Sequence, residues 1–457
     1  MPTLTGEASS AAISSGSPRP ERFRGSTVVA CEPSCHIASV TFEQMWNELR
    51  PIGRDGATGG YRRSPFASAE RECVDWYVGE ARRRGLEIEW DGQGNAVAWW
   101  SPASDVALPA AKAAVDTPTS ESLPTPGDIL IGSHLDSVDN GGAFDGPLGV
   151  VACFAAIDAL RDKGFRPGRR IGVAMFVEEE GSRFGVACLG SRLATGRLAP
   201  HEAVELRDKD GLFLLDAMAG AGVEPSLGPS PLLHNVAMFI ELHVEQGRDL
   251  IDRDYAVALA SASWAHGRWR FDFTGEPNHA GATRMQDRHD PMLTYAMTAL
   301  AANKQARLAD ARATFGRVAV HPNVTNAVPE RVQAWLDARG ADSTLVDSLV
   351  SSITRQANER AERDGTRLDV TPESVTPTVH FERPLAQRLS RLLDDAPVIP
   401  TGAGHDAGVL QLAGIPSAML FVRNPTGVSH SPAEHAEMSD CLAGVDALTR
   451  VLEEVAA

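Results

Sequence analysis

The sequence predicts an α/β protein with a mostly parallel central sheet flanked by helices, into which a second α+β unit is inserted. Three observations support this fold class. Strand and helix patterns alternate between residues 128 and 242. The pattern changes after residue 248 and returns to apolar strands ending in loops near residue 368. The 457 residues also exceed what one hydrophobic core usually holds.

Periodicity and turn residues place the elements along the chain. Residues 41–49 and 68–84 have helical spacing, and residues 86–100 alternate and turn at the DGQGN run like a hairpin. The further expected elements are strands at 128–133, 170–177, 236–242, 268–273, 331–337 and 415–422, with helices at 149–163 and 290–309.

The predicted domains follow from these patterns. Residues 37–247 and 366–457 form the first domain, and residues 248–365 form the inserted one. A stretch rich in Pro, Ala, Ser and Asp at 101–127 reads as an exposed insertion. Residues 1–27 lack the continuous apolar stretch of a secretory signal, so we expect a disordered tail there.

Composition and charge exclude several function classes. The formal net charge of −17 repels phosphate backbones and anionic membranes, so nucleic acid and membrane partners are not expected. No apolar run approaches the roughly 18 residues of a membrane span. The six cysteines are scattered, as is usual for a protein of the reducing cytoplasm. Cys31, Cys35 and His36 lack the second ligand pair that a structural zinc site needs.

Polar motifs stand where the predicted strands of the first domain end. In open α/β sheets, chemistry gathers at these carboxyl ends. The motifs are GSHLDS at 132–137 followed by Asp145, EEE at 178–180, ELHVEQG at 241–247 and GVSHSP at 427–432. Any one of them alone is more often a hydrogen-bonded histidine or a solvated acidic face. Four of them on one sheet predict a shared site.

The residue types in these motifs point to metal. Three consecutive acids carry a repulsion that a bound cation would remove. Imidazole and carboxylate suit zinc, and a carboxylate can bridge two ions about 3.5–4 Å apart. Asp136 is close enough in sequence to orient His134, and the glycines around Asp145 allow close approach of the backbone to an ion.

These motifs give the chain a resemblance to the peptidase, aminoacylase and carbamoylase metallohydrolases. Within that group it looks most like the N-carbamoyl-amino-acid hydrolases, β-ureidopropionases and allantoate amidohydrolases. The resemblance runs from about Phe42 to the C-terminus through GSHLDSVDNGGAFDGPLGV, EEEGSRF, ELHVEQG, EPNHAGAT, GAGHDA and GVSHSPAEH. It implies two divalent ions, zinc or manganese, with cobalt or nickel as alternatives.

The resemblance also implies residue roles. His134 and His243 would hold one ion, Glu180 and His430 the other, and Asp145 would bridge the two. Glu179 would be the general base toward metal-activated water, and Glu178 has no assigned role. His279 would stabilise the oxyanion. Gln246 and Asn326 would bind the ureido or amide group, and Arg339 would grip a carboxylate through two hydrogen bonds.

Two positions depart from the family pattern and affect the specificity pocket. Arg284 follows His-Ala-Gly-Ala-Thr where proline is usual, and Gly340 follows Arg339 where histidine is common. Without the resemblance, the sequence indicates only that His279 lies in a turn and that Arg339 forms a surface salt bridge.

The expected function is hydrolysis of the ureido C–N bond of a small carboxylate. Allantoate is the first expected substrate, and N-carbamoyl-L-amino acids or N-carbamoyl-β-alanine are the alternatives. An aminoacylase or aminopeptidase is a further alternative, and a metal-free binding relative would need lost ligands. The resemblance also implies a homodimer formed through the inserted domain, with His279 reaching the partner's site.

Overall fold

The computed structural model describes residues 40–102 and 127–457, which belong to one compact unit. The expected disordered tail at 1–27 lies outside the described residues, as do Cys31, Cys35, His36 and most of the expected insertion at 101–127. Within the described ranges, no helix is long and apolar enough to cross a membrane.

The secondary structure agrees with the expected order. The strands are β1 Glu87–Trp90, β2 Ala96–Trp100, β3 Asp128–His134, β4 Ile171–Phe176, β5 Val236–Val244, β6 Val257–Ser263, β7 Ala265–Thr274, β8 Asn278–His279, β9 Arg312–His321, β10 Ala327–Val328, β11 Arg331–Gly340, β12 Arg367–Thr376, β13 Val379–His380, β14 Val398–Thr401 and β15 Ser417–Val422. The helices are α1 Phe42–Leu49, α2 Ser68–Arg83, α3 Pro147–Asp162, α4 Leu189–Ala194, α5 Pro200–Ala203, α6 Leu214–Gly220, α7 Asp249–Arg253, α8 Pro291–Leu308, α9 Ser343–Asp364, α10 Arg383–Leu392, α11 Asp406–Leu412 and α12 Met438–Val455, with short 3-10 turns at Pro231–Leu233 and Met285–Asp287.

A nine-stranded sheet forms the larger layer. Its order is β1-β2-β4-β3-β5-β15-β6-β13, with β14 also paired to β6. The central strands β4, β3, β5 and β15 are mutually parallel, which confirms the predicted α/β class. Alternate residues of these strands enter two different cores: Ile129 and Ile131 pack with helix α3, whereas Leu130 packs in the core on the opposite face. A sheet covered on both faces needs such nearly continuous apolar strands.

A second, four-stranded antiparallel sheet has the order β12-β7-β11-β9. Helices α8 and α9 pack against it, and Phe271, Phe273, Leu336 and Ile353 form the centre of its core. The short strands β8 and β10 form a separate two-stranded pair. The strands expected at 268–273 and 331–337 and the helix expected at 290–309 are all present in this region.

The positions at which the chain passes from one sheet to the other differ from the predicted domain boundaries at 248 and 366. Strand β6, which follows residue 248, joins the nine-stranded sheet, and strand β12, which follows residue 366, joins the four-stranded one. Periodicity reveals a strand but not the sheet that it joins, because pairing is decided by distant partners. That the four-stranded unit acts as a lid or dimerisation domain stays a prediction.

Candidate active site

The four polar motifs meet at one edge of the nine-stranded sheet. Strand β3 ends at His134, and His243 is the next-to-last residue of β5. Strand β4 leads into the acids at 178–180, and β15 leads into the loop that carries His430. Because these four neighbouring strands are parallel, their carboxyl ends lie together, as predicted for a sheet of this kind.

Asp145 lies at the centre of the five predicted ligands. Its Oδ1 is 3.1 Å from His243 Nε2 and 3.5 Å from His134 Nε2. Its Oδ2 is 3.5 Å from His430 Nε2, and that nitrogen is 3.2 Å from Glu180 Oε2. The structure therefore brings all five side chains together as two three-residue groups that share Asp145.

The donor atoms of the two buried histidines fit a metal ion. His134 Nδ1 lies 3.2 Å from the Asp136 carbonyl oxygen, and His243 Nδ1 lies 2.8 Å from that of Val244. A carbonyl only accepts, so each Nδ1 carries the hydrogen and each Nε2 points inward as a lone pair. Both Nε2 atoms are buried without a hydrogen-bond partner among the described residues. Such atoms are costly unless a cation or a donor meets them.

The pKa shifts of the clustered side chains also fit a cation site. Burial disfavours protonation of His134, but Glu179, Asp136 and Asp145 outweigh it and hold its pKa well above the ordinary value. Burial disfavours the Asp145 anion, yet His243, His134 and His430 keep its pKa well below the usual range. A proton and a metal ion compete for the same Nε2 lone pairs, and the surrounding carboxylates would favour a cation there.

Gly146 explains how His134 and Asp145 come so close. Its φ of +85° lies in the left-handed region, and a Cβ built there would lie 2.4 Å from Cε1 of the His134 ring. Only glycine combines that backbone conformation with the space that the imidazole occupies. That these glycines let the backbone approach an ion stays a prediction, because the contact found at Gly146 is with the imidazole ring.

The acidic loop after β4 is held by backbone hydrogen bonds on two sides. The Asp136 carboxylate accepts the backbone N–H groups of Glu179 at 3.1 Å and Glu180 at 3.2 Å, and its Oδ1 lies 3.4 Å from His134 Nδ1. The backbone N–H of Cys188 donates to the Glu179 carbonyl at 2.6 Å. Asp136 therefore lies beside His134 as expected and also fixes the loop that carries two predicted functional acids.

Glu178 and Glu179 face different surroundings although they are neighbours. Glu178 is fully buried, and its Oε1 accepts the backbone N–H groups of Arg183 at 3.0 Å and Phe184 at 2.7 Å, a structural arrangement. Glu179 Oε2 lies 3.7 Å from His134 Nε2, and its Oε1 accepts the thiol of Cys188 at 3.4 Å. Glu179 lines the cavity at the site and Glu178 does not.

A cavity of about 540 Å³ opens over this cluster and is lined by both acidic and basic side chains. We refer to the predicted ligands Asp145, Glu180 and His430 in its lining as the acidic end, and to Arg192, Arg268, Arg312 and Arg339 as the basic end. Asp337, which is paired with Arg339, and His266 lie beside these arginines. Such a division suits a small substrate that carries a reactive group at one end and an anionic group at the other.

Arg339 lies in this basic end but also has partners within the chain. Its Nε and Nη2 donate to the Asp337 carboxylate at 2.7 and 3.2 Å, and its Nη1 donates to the Gly402 carbonyl at 2.9 Å. The salt bridge expected without the resemblance therefore exists. It orients the guanidinium at the cavity wall, where its remaining N–H groups can meet an anion.

The other predicted substrate residues divide into two groups. Gln246 lies at the cluster, because its Nε2 donates to Asp145 Oδ2 at 2.7 Å while its Oε1 is buried without a described partner. His279 and Asn326 are exposed on the β8 and β10 pair, where the Ala280 N–H donates to the Asn326 carbonyl at 3.0 Å. Neither lines the cavity, so one chain does not bring them to the predicted ligands.

Sequence reasoning missed several buried polar residues that support the site. Glu434 Oε1 accepts the backbone N–H groups of Phe144 at 2.9 Å and Asp145 at 3.0 Å, and this contact holds the loop of the central carboxylate. Glu241 accepts from the Ser133 hydroxyl at 3.0 Å and from the Ala407 N–H at 2.9 Å. Glu241 lies within the motif ELHVEQG and Glu434 within GVSHSPAEH. Their roles depend on contacts across the fold, which the motifs do not reveal.

Comparisons with known proteins identify the family. Residues 130–454 match Peptidase family M20/M25/M40. An N-carbamoyl-L-amino acid amidohydrolase of Geobacillus stearothermophilus is 34% identical over 91% of this chain and 98% of its own length. The allantoate amidohydrolase of Escherichia coli K12 is 30% identical over 72% of this chain and 81% of its own length. A crystal structure of an amidase of the hydantoinase/carbamoylase family from Burkholderia vietnamiensis superposes with a TM-score of 0.80 at 25% identity, covering 91% of this chain and 98% of that one.

The matched region contains every strand end that carries a predicted ligand, from β3 to the loop after β15. The chain therefore belongs to Peptidase family M20/M25/M40, within which it is a hydrolase that acts on C–N bonds.

Proposed function

We propose that this protein hydrolyses the ureido C–N bond of a small carboxylate, with allantoate as the first substrate and N-carbamoyl-L-amino acids as the second. The observation that carries the proposal is a single cavity lined both by the Asp145 cluster and by Arg339. The amidohydrolase names of the similar proteins support the same substrate class.

The residues of the acidic end fit two divalent ions. His134, His243 and Asp145 would hold one, and Glu180, His430 and Asp145 the other. Bound zinc or manganese would supply Lewis acidity and make water easier to deprotonate. Gln246 donates to Asp145 and so fixes the orientation of the shared carboxylate.

Glu179 is suited to move the proton in the reaction. Its carboxylate borders the cavity and lies beside the predicted ligands without belonging to either three-residue group. From there it would accept a proton from the attacking water and deliver it to the leaving nitrogen. The hydrogen bonds of the Glu179 backbone with the Asp136 carboxylate and the Cys188 N–H anchor the loop, which helps to keep the base within reach.

Arg339 would bind the substrate carboxylate at the basic end. Its pairing with Asp337 fixes the plane of the guanidinium, and a planar donor set suits a carboxylate. The distance between the reactive bond and the acid group would then be set by the cavity. Substrates that lack the acid group should be held less firmly.

The exposed position of His279 and Asn326 is consistent with a site completed by a second copy of this chain. Strand β9 forms an edge of the four-stranded sheet, and helix α8 packs beside it. Leu293, Met297 and Leu300 form an exposed apolar stripe on α8 at helical spacing. An unpaired edge next to an apolar helix face favours association of two copies.

A hydrolysis screen tests the proposed function. The protein would be loaded with manganese or zinc and offered allantoate, N-carbamoyl-β-alanine, several N-carbamoyl-L-amino acids, an N-acetyl amino acid and a dipeptide. Ammonia release from a ureido compound, strongly reduced in Glu179→Gln, is the expected result. Hydrolysis of only the acetyl compound or the dipeptide would assign the protein to an aminoacylase or aminopeptidase instead.

A further inference from the structure

His266 stands at the basic end of the cavity as the direct neighbour of Arg339. The two residues are paired across strands β7 and β11 in the antiparallel register, so their side chains share one face of the sheet. His266 is half-buried and lines the same cavity wall. It therefore lies where a group attached beside a bound carboxylate would be placed.

The hydrogen bonding of His266 fixes its tautomer. Its Nδ1 lies 3.0 Å from the Trp264 carbonyl oxygen, which can only accept, so Nδ1 carries the hydrogen. Burial, reinforced by Arg339 and opposed by the Trp264 carbonyl, lowers the pKa of His266 to about 4. The ring is therefore neutral near pH 7, and its Nε2 is a hydrogen-bond acceptor.

The acceptor atom is open to the cavity. Among the residues that the structure describes, the hydrogen bond of the His266 ring is the one from Nδ1 to the Trp264 carbonyl, and Nε2 has no partner. Gly404 lies beside it, and a Cβ built there would be 3.4 Å from Nε2 and 3.3 Å from Cε1. Because Gly404 has no side chain, this ring edge stays accessible. Around it, Arg192, Arg268 and Arg339 offer only donors, and the Asp337 carboxylate is engaged by Arg339. His266 Nε2 is therefore an acceptor that these neighbours leave available to a ligand.

We infer that His266 Nε2 determines specificity by accepting a hydrogen bond from an N–H group on the substrate carbon that bears the carboxylate. This inference rests on the proposed function and narrows it to one substrate class. Allantoate has two ureido groups on that carbon, so when one lies at the Asp145 cluster the other can donate to His266. An N-carbamoyl amino acid with an apolar or hydrogen side chain leaves Nε2 unpaired, and a site built to hydrogen-bond rejects such an analogue.

The test compares kcat/KM for allantoate and N-carbamoylglycine in the manganese-loaded protein and its variants. The unchanged protein should prefer allantoate at least about tenfold. His266→Phe keeps a flat ring but removes the acceptor, so the allantoate to N-carbamoylglycine ratio should fall by about 10- to 100-fold. His266→Gln, whose amide oxygen can accept, should restore part of the ratio. His201→Phe, an exposed histidine on α5 that does not line the cavity, is the matched control and should leave the ratio unaltered.

The outcomes separate this inference from the proposed function. An equal loss on both substrates in His266→Phe would make His266 structural and overturn the inference. A preference of the unchanged protein for N-carbamoylglycine would overturn it as well. If the metal-loaded protein hydrolysed neither of these compounds nor any other ureido carboxylate, the proposed function itself would fail, and the inference with it.

Discussion

The edge of the nine-stranded sheet and the β8 and β10 pair carry the two groups of predicted functional residues, and they differ in burial. At the sheet edge, His134 and His243 are fully buried and their Nε2 atoms converge on one carboxylate. On the β8 and β10 pair, His279 is exposed and its Nδ1 accepts backbone N–H groups of its own turn, from Gly281 at 3.0 Å and Ala282 at 3.1 Å. One chain therefore contains all side chains of the first region. In one chain, the side chains of the second region do not reach the predicted ligands.

The difference in burial shows when a polar side chain by itself implies a ligand. Buried polar atoms without partners are costly, so the first region implies a ligand directly. An exposed histidine carries no such cost, and its function depends on what approaches it. The following predictions test whether the two regions form one active site.

The largest effect is expected at Asp145. Asp145→Asn keeps the size of the side chain but removes the charge that all three histidines face, so it should abolish binding of at least one ion and lower kcat by more than about 10³-fold. Metal content per chain and ammonia release measure this. Asp139→Asn, at an exposed aspartate of the same segment, is the control and should retain both. Full activity in a preparation shown to be free of metal would contradict the prediction.

The next effect is expected at Glu179. Glu179→Gln should lower kcat by about 10² to 10⁴-fold, as for the loss of a general acid–base group, while metal content stays normal. Metal analysis and steady-state kinetics on the same preparation separate the two effects. If the variant lost metal and Glu180→Gln did not, the roles of these neighbouring acids would be exchanged.

Variants of His279 test whether the two regions belong to one active site. His279→Ala should lower kcat by about 10² to 10³-fold if the imidazole stabilises an oxyanion. Mixing this variant with Glu179→Gln should regenerate activity, because a mixed dimer can combine an intact histidine from one chain with an intact base from the other. Recovery should reach at most about half of the unchanged rate in each mixed dimer if the sites act independently.

Two controls make the mixing experiment decisive. Subunit exchange must be verified by mass, and His289→Ala, at an exposed histidine on the same unit, should retain activity alone. No recovery after verified exchange would place His279 in the site of its own chain or remove it from catalysis.

A smaller effect is expected at Arg339. Arg339→Lys keeps the charge but loses the paired planar contact with a carboxylate, so KM should rise by about 10- to 100-fold on an acid substrate. The same change measured on a ureido compound without the acid should be much weaker. An equal defect on both compounds would make Arg339 a structural partner of Asp337 and weaken the proposed substrate class.

The smallest effect is expected at Cys188, whose thiol contacts the Glu179 carboxylate. Cys188→Ala removes a weak donor, so kcat should fall by about two- to tenfold while KM stays the same. Cys188→Ser should restore most of the rate, because a hydroxyl also donates. Cys441→Ala, at another buried cysteine, should change thermal stability but not kcat. An equal loss of kcat in both alanine variants would show a general packing effect.

Much of the site could be predicted because its residues are local to strand ends. The expected strands at 128–133, 170–177, 236–242 and 415–422 are present, and their order implies a parallel sheet whose carboxyl ends meet. Supporting residues were harder to find. Glu434 holds the Asp145 loop from 289 residues away, and no local pattern indicates such a contact. His266 lies just before the strand expected at 268–273, and only the pairing of β7 with β11 places it beside Arg339.

Periodicity and short motifs are properties of neighbouring residues, so they were enough to predict the α/β class, the residue types at the strand ends and the resemblance to a metallohydrolase family. Only the tertiary structure decides which sheet β6 and β12 join and which polar side chains stay exposed. These features depend on contacts between residues far apart in the chain, where the packing of the whole fold selects the partner.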